Sequence, residues 1–125
     1  MSIGISTACL YPMYTEQALE ILLDQGFRLF EFFFNTISEL APDFIARLGK
    51  MMEKKGATLR SIHPFPSSFE SYLLFSNYER RFEDGMRFYD RYFETAARLG
   101  AQIVVLHGDR SPEKSGLTEN QYFGR

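Results

Sequence analysis

Apolar runs of strand length alternate with longer amphipathic segments along the whole chain. The amphipathic segments carry apolar residues three and four positions apart, a spacing typical of helices that bury one face. The predicted strands cover 3–10, 28–34, 58–63 and 102–107, and the predicted helices cover 16–25, 42–55 and 76–99. Strands that alternate with helices in this way predict an α/β protein with a parallel sheet.

The fourth predicted strand has the longest unbroken aliphatic run of the four and ends in a histidine. Its unbroken run of aliphatic residues, at positions 103–106, is the pattern of a strand covered on both faces. Polar residues return at His107, so a polar loop follows the carboxyl end of the strand. Sites in α/β proteins lie at such loops.

Capping residues and breakers set the predicted ends of the helices. Thr15 is the predicted N-cap of the first helix, and Ser76 or Asn77 caps the third. Gly26 and Gly56 stand where left-handed C-terminal caps belong. The stretch 64–75, with its prolines and serines, is predicted as a long loop, and Thr118 is predicted to open a fourth helix.

The apolar positions predict which faces are buried. The helix stripes are Ala18, Leu19, Leu22 and Leu23; Phe44, Ile45, Leu48 and Met52; and Phe82, Met86, Tyr89, Phe93, Ala96 and Ala97. Alternation places Leu29, Glu31 and Phe33 on one face of the second strand, opposite Phe30 and Phe32, and places Leu59, Ser61 and His63 on one face of the third, opposite Arg60 and Ile62. The aromatic stripe of the third helix has the spacing of a helix packed on a sheet, which favours core packing over a cofactor site.

The length fits about four units of a TIM-type (β/α)₈ barrel, which has roughly 31 residues per unit. The fold class expected is therefore α/β, a parallel (β/α)₄ half of a TIM-type barrel truncated after the fourth strand, with residues 1–125 forming a single partial barrel domain. Such a half leaves its first and last strands with unpaired edges. The chain is expected to form a homo-oligomer through these edges, to close differently, or to be part of a longer protein.

The net charge, the apolar runs and the single cysteine indicate which kinds of partner and which cellular compartment to expect. The net charge of −2 and the absence of a basic stripe argue against a nucleic-acid partner. The sequence shows neither a membrane span nor a signal peptide, and its one cysteine, Cys9, rules out an intrachain disulfide, so a reduced cytoplasmic protein is expected. No glycine-rich phosphate fingerprint follows the first strand, which weakens a dinucleotide-binding interpretation.

Glu31, His63 and His107 fall at or near the carboxyl ends of the second, third and fourth strands. Histidines and a carboxylate at one mouth are the donors of many metal sites, and they also bind polar substrates. The alternative is that the histidines and Glu31 are hydrogen-bonded structural residues. Asp109 and Arg110 are open to the same two interpretations, contact with a polar or anionic substrate or an ordinary loop.

Four segments, IGIST, GFRLFEF, LRSIHPF and ARLGAQIVVLHGD, resemble the xylose isomerase-like TIM-barrel superfamily in order and spacing. The likeness covers residues 1 to about 123 and corresponds to the N-terminal half of that barrel. The resemblance implies a metal-dependent sugar or sugar phosphate isomerase/epimerase that moves a proton through an enediolate. It implies a divalent metal (Zn, Mn, Mg or Co) in the full barrel and a small sugar or hydroxy-ketone substrate.

The resemblance also implies roles for single residues. In the apurinic endonuclease branch of the superfamily, histidines matching His63 and His107 are zinc ligands, whereas in the isomerase branch the match to His107 contacts substrate. Glu31 matches a family glutamate, and all three are candidate substrate-binding residues. The later strands that supply the main metal ligands and both proton-transfer glutamates are missing, so no turnover is expected from these residues alone. The alternatives are a fragment of a zinc-dependent endonuclease barrel and a non-catalytic dimerisation module.

Overall fold

The computed structural model describes residues 3–65 and 67–109. The strands are β1 (Ile5–Ser6), β2 (Leu29–Phe34), β3 (Thr58–Pro64) and β4 (Ile103–Val104), and the helices are α1 (Thr15–Asp24), α2 (Pro42–Lys54), α3 (Ser67–Leu73) and α4 (Glu79–Leu99). Two short 3-10 helices cover Thr7–Leu10 and Ile37–Leu40. Thr118, the predicted start of a further helix, and Arg110 lie outside the described residues. No helix in the described ranges has the length and apolarity needed to cross a membrane.

All strand pairs are parallel, and the strand order in the sheet is β1-β2-β3-β4. Strands that are neighbours in the chain are therefore neighbours in the sheet, and helices connect them. The ladder between β2 and β3 joins six residue pairs, whereas the β1 and β4 ladders join two each. The predicted α/β class with parallel strands is confirmed, and the carboxyl ends of all four strands lie at one end of the sheet.

The core lies between the sheet and its helices. The predicted alternation of β2 is confirmed, because Phe30, Phe32 and Phe34 are buried on the helix side while Leu29 and Glu31 are only half-buried. The helix residues that pack with these rings include Leu19, Leu22, Leu23, Ile45, Leu48, Met52, Tyr89, Tyr92 and Ala96. The open face of the sheet carries the polar side chains described below.

The first strand is shorter than predicted. Instead of continuing to residue 10, the chain leaves the sheet after Ser6 and forms the 3-10 helix Thr7–Leu10. The Thr7 hydroxyl accepts a hydrogen bond from the Phe33 amide at 3.0 Å, so a side chain takes the place of a ladder carbonyl. The prediction that Thr15 is the N-cap of α1 is also wrong. Tyr14 is the N-cap residue, and the Thr15 hydroxyl donates a hydrogen bond to Glu39 at 3.0 Å.

The predicted alternation of β3 is wrong at its start. Phe30 pairs with Leu59 and Glu31 pairs with Ser61, so Arg60 is an extra residue with no partner on β2. This β-bulge reverses the faces of the residues before it. Leu59 therefore joins the buried helix side, while Ser61 stays on the face of Glu31.

The buried face of α4 is rotated from the predicted stripe. Tyr89 and Ala96 are buried as expected, but Met86 and Phe93 are 40% and 43% exposed. The rotation follows from α3, which occupies the predicted loop and packs on Gly85. The cap at Ser76 or Asn77 is wrong as well, since α4 begins after Tyr78.

The fourth strand is not covered on both faces within the described residues. Ile103 is 44% exposed and Leu106 is 45% exposed. The reason is its place in the sheet, because β4 is an edge strand whose only described strand partner is β3. The apolar residues 103–106 are typical of a strand in the middle of a sheet, whereas β4 lies at the edge of the sheet in the described residues.

Replacing Gly85 with alanine should destabilise the chain by up to about 2 kcal/mol. A Cβ at this position would lie 2.9 Å from Leu73 Cβ and 3.2 Å from Leu74 Cδ2, so α3 and α4 must separate. Overpacking of this kind costs about 1–3 kcal/mol, offset by the gain of about 1 kcal/mol that alanine brings to a helix. Chemical denaturation measures the difference.

Gly49→Ala is the matched control, because Gly49 lies in the interior of α2 and its added Cβ would meet only Leu99 Cδ2, at 3.4 Å. That variant should be stabilised by about 0.5–1 kcal/mol. If both substitutions changed the free energy of unfolding equally, the close approach of α3 to Gly85 would not affect stability.

Candidate functional site

The three candidate residues from the sequence lie at the same end of the sheet. Glu31 is the third residue of β2, His63 is the sixth residue of β3, and His107 follows β4 after two further residues. Parallel strands bring these positions together, and the bulge at Arg60 keeps His63 on the face of Glu31. The chain therefore places all three on the side of the sheet that faces away from the helices.

The two histidines form a direct pair. Their Nε2 atoms are 3.0 Å apart, and the ring centroids are 4.8 Å apart. Both rings are largely shielded, with side chains 20% and 19% exposed. Since the Nε2 atoms face each other, the Nδ1 atoms face outward, and each meets a carboxylate.

Glu31 serves the His63 side of the pair. Its Oε1 lies 3.5 Å from His63 Nδ1, and its Oε2 accepts a hydrogen bond from the Ser61 hydroxyl at 3.1 Å. The rings of Phe33 and His63 pack in a T-shaped arrangement, with their centroids 4.8 Å apart. Glu31 stays partly open to solvent, with 29% of its side chain exposed.

Glu70 serves the His107 side, and the sequence interpretation missed it. Its side chain is fully buried, and its Oε1 lies 3.2 Å from His107 Nδ1. Its Oε2 accepts the backbone amides of His107 at 2.6 Å and of Gly108 at 3.0 Å. Gly108 has a φ of 77°, a left-handed conformation that glycine adopts without strain.

The sequence does not single out Glu70, because the prolines and serines around it predict a loop. The segment forms α3 instead, and its one acidic residue turns inward toward the end of β4. The available signal was a serine pair followed by Phe69, Glu70, Leu73 and Leu74, a short helix with apolar residues around a carboxylate. A charge embedded among apolar helix positions is expected to find a partner.

The histidine pair fits part of a metal site. Two nitrogens bound to one tetrahedral zinc ion lie about 3.4 Å apart, given Zn–N distances near 2.1 Å. The observed 3.0 Å separation needs only a small opening to reach that value. Metal-bound histidines commonly donate their second N–H to a carboxylate, as Glu31 and Glu70 permit here. Within residues 3–65 and 67–109, no group of three or more His, Cys, Asp or Glu is placed to hold a metal ion.

A second buried carboxylate, Glu39, has a structural role. Its Oε1 accepts the Thr15 hydroxyl at 3.0 Å, and its Oε2 accepts the Asn35 amide at 2.6 Å. These bonds tie α1 to the loop after β2. Glu39 therefore resembles Glu70 in chemistry and burial but holds no histidine.

The other candidates from the sequence are Asp109 and Arg110. Asp109 is exposed and Arg110 lies outside the described residues, so their predicted roles stay predictions. Cys9 is exposed. Phe34 packs against Tyr92 in the core.

Comparison with known proteins places the fold. No protein-family model matches the sequence, and no curated protein matches it. The chain is similar to a solved structure described as the crystal structure of D-psicose 3-epimerase in the presence of D-fructose, with a TM-score of 0.71 and 21% sequence identity. The match covers 96% of this chain and 42% of that one, so this chain spans less than half of its length. The α/β fold therefore matches part of a TIM barrel, as predicted.

Proposed function

We propose that this chain is part of a sugar isomerase/epimerase-type (β/α)₈ barrel and that Glu31, His63 and His107 belong to the mouth that binds substrate and metal. The observation that carries the proposal is the continuous chain of contacts Glu31–His63–His107–Glu70, which runs from the middle of β2 to the carboxyl ends of β3 and β4. This is the end where TIM barrels place their active sites. The similar solved structure is a D-psicose 3-epimerase by its description, which supports a sugar as the class of substrate.

The Nε2 atoms of His63 and His107 are the groups of this chain that would contact the ligand. They would hold a divalent metal as two of its ligands, or donate and accept hydrogen bonds with sugar hydroxyls. A bound metal supplies charge that polarises a sugar oxygen. Glu31 and Glu70 orient the rings by facing their Nδ1 atoms, at 3.5 and 3.2 Å. Both carboxylates are occupied in this way, so proton transfer between sugar carbons falls to groups of the rest of the barrel, and we expect no turnover from this chain alone.

Metal binding tests the proposal most directly. Titration calorimetry of the 125-residue chain with zinc should detect one equivalent, and His63→Ala with His107→Ala should lower the affinity at least tenfold, because both nitrogen ligands are removed. Glu39→Gln is the control, since Glu39 is buried but touches neither histidine. Zinc binding that is unchanged in the double variant would refute the proposed role of the pair.

A further inference from the structure

Glu70 is the most constrained charged group beside the histidine pair. It is fully buried, and among the described residues its carboxylate is hydrogen-bonded to three groups of His107 and Gly108. We propose that Glu70 is a positioning residue that fixes His107 in the tautomer with its proton on Nδ1, which leaves Nε2 as a bare acceptor aimed at His63. The inference rests on the proposed function for its purpose, but its geometry stands without a metal or a sugar.

The assignment follows from counting donors and acceptors around the Glu70 carboxylate. Backbone amides can only donate, and two of them occupy Oε2 at 2.6 and 3.0 Å. An ionised carboxylate can only accept, so Oε1, at 3.2 Å from His107 Nδ1, requires a proton on that nitrogen. A neutral imidazole carries one proton, and Nε2 is then bare.

The tautomer of His107 sets the direction of the contact between the histidines. With Nε2 of His107 bare, the 3.0 Å approach of the two Nε2 atoms is a hydrogen bond only if His63 is the donor. A bare, preoriented Nε2 is also the atom that a metal ion or a sugar hydroxyl needs. Glu70 therefore acts on ligand binding through His107.

Glu31 does not constrain His63 in the same way. Its oxygen is 3.5 Å from His63 Nδ1, its side chain is 29% exposed, and its described hydrogen bond comes from the Ser61 hydroxyl rather than from a backbone amide. A hydroxyl rotates to suit its acceptor, whereas the amides at Glu70 are fixed. The pair is thus asymmetric, with His107 locked and His63 free to adapt.

Nitrogen-15 NMR of the histidine rings in the metal-free chain tests the assignment. The chain has only two histidines, and His63→Ala identifies the signals of His107. The wild-type chain should show His107 protonated at Nδ1. In Glu70→Gln the amide oxygen can take the backbone N–H groups, which turns the NH₂ toward Nδ1 and should move the ring proton to Nε2. The same variant should weaken zinc binding ten- to a hundredfold.

Two further variants separate this effect from a loss of structure. Glu70→Asp keeps an acceptor and should retain the Nδ1 tautomer, and Glu39→Gln, which alters a buried carboxylate away from the histidines, should change neither the tautomer nor zinc binding. A wild-type His107 protonated at Nε2, or an Nδ1 tautomer that persists in Glu70→Gln, would overturn the inference. If the wild-type tautomer is found as expected but the chain binds no zinc, the proposed metal role fails while the role of Glu70 stands.

Discussion

Raising the pH from about 10 to 12 should unfold the chain, with the unfolding equilibrium constant rising up to a hundredfold per pH unit. Tyr89 and Tyr92 are 1% and 0% exposed in the core. Burial raises the pKa of both phenols well above the usual value near 10, and the charge of Glu70 raises that of Tyr89 further. The unfolded chain therefore loses these two protons at a lower pH than the folded chain.

The sign of the effect follows from the direction of these shifts. Below pH 10 both states hold the phenolic protons, and the stability contributed by burying neutral tyrosines is fully present. Above pH 10 only the unfolded state releases them, so stability falls as the pH rises toward the folded-state pKa values. Each tyrosine contributes up to a factor of ten per pH unit, which gives the hundredfold total. Circular dichroism and tyrosinate absorbance, recorded together, should change in one transition.

The double variant Tyr89→Phe, Tyr92→Phe is the control. Neither hydroxyl has a hydrogen-bond partner among residues 3–65 and 67–109, so their removal should cost little stability at neutral pH. The variant should keep its fold to higher pH than the wild-type chain. Identical alkaline transitions in the two proteins would show that other groups cause the unfolding.

Phe32→Ala should lower the free energy of unfolding by about 3–5 kcal/mol, the range for large aromatic truncations in a core. Phe32 is fully buried in β2, which is paired on both sides in the sheet. Its ring lies between those of Phe30 and Phe34, at centroid distances of 6.5 and 6.1 Å. Truncation leaves a cavity that these neighbours cannot fill without moving. Since small domains have only about 5–15 kcal/mol of stability, the variant should be near its unfolding limit.

Phe93→Ala is the matched control for this truncation. Phe93 has the same side chain but is 43% exposed on α4. Its removal should cost about 1 kcal/mol or less, because little of the ring leaves a packed environment. Urea denaturation of both variants gives the comparison. Losses of equal size would mean that the described core is not the one that stabilises the chain.

The pairing of His63 with His107 was predictable, because both residues fall at or near the carboxyl ends of consecutive parallel strands. The burial of Phe30 and Phe32 and the bounds of α2 were predictable from periodicity and from the proline and glycine at its ends. These features depend on local patterns that repeat along the chain. Such patterns predict burial well because side chains alternate between the two faces of a strand and recur every three to four residues on one face of a helix.

The features that could not be predicted depend on contacts between distant residues. Nothing in the sequence marks Arg60 as the extra residue of a bulge, although it decides which face Leu59 occupies. Glu70 lies 37 residues before His107, and its segment becomes a helix that faces the end of β4. Thr7 begins a 3-10 helix instead of continuing β1, and its hydroxyl accepts a hydrogen bond from the Phe33 amide on β2.

The unequal ladders of the sheet have a consequence for how the site assembles. The six-pair ladder between β2 and β3 should form the slowest-exchanging amides and the first stable unit, whereas the two-pair ladder of β4 should open by partial unfolding. His63 belongs to the durable unit and His107 to the segment that follows β4. We therefore expect the histidine pair to separate while the phenylalanine core is still intact. A ligand that binds both rings would therefore stabilise the pairing of β4 with β3.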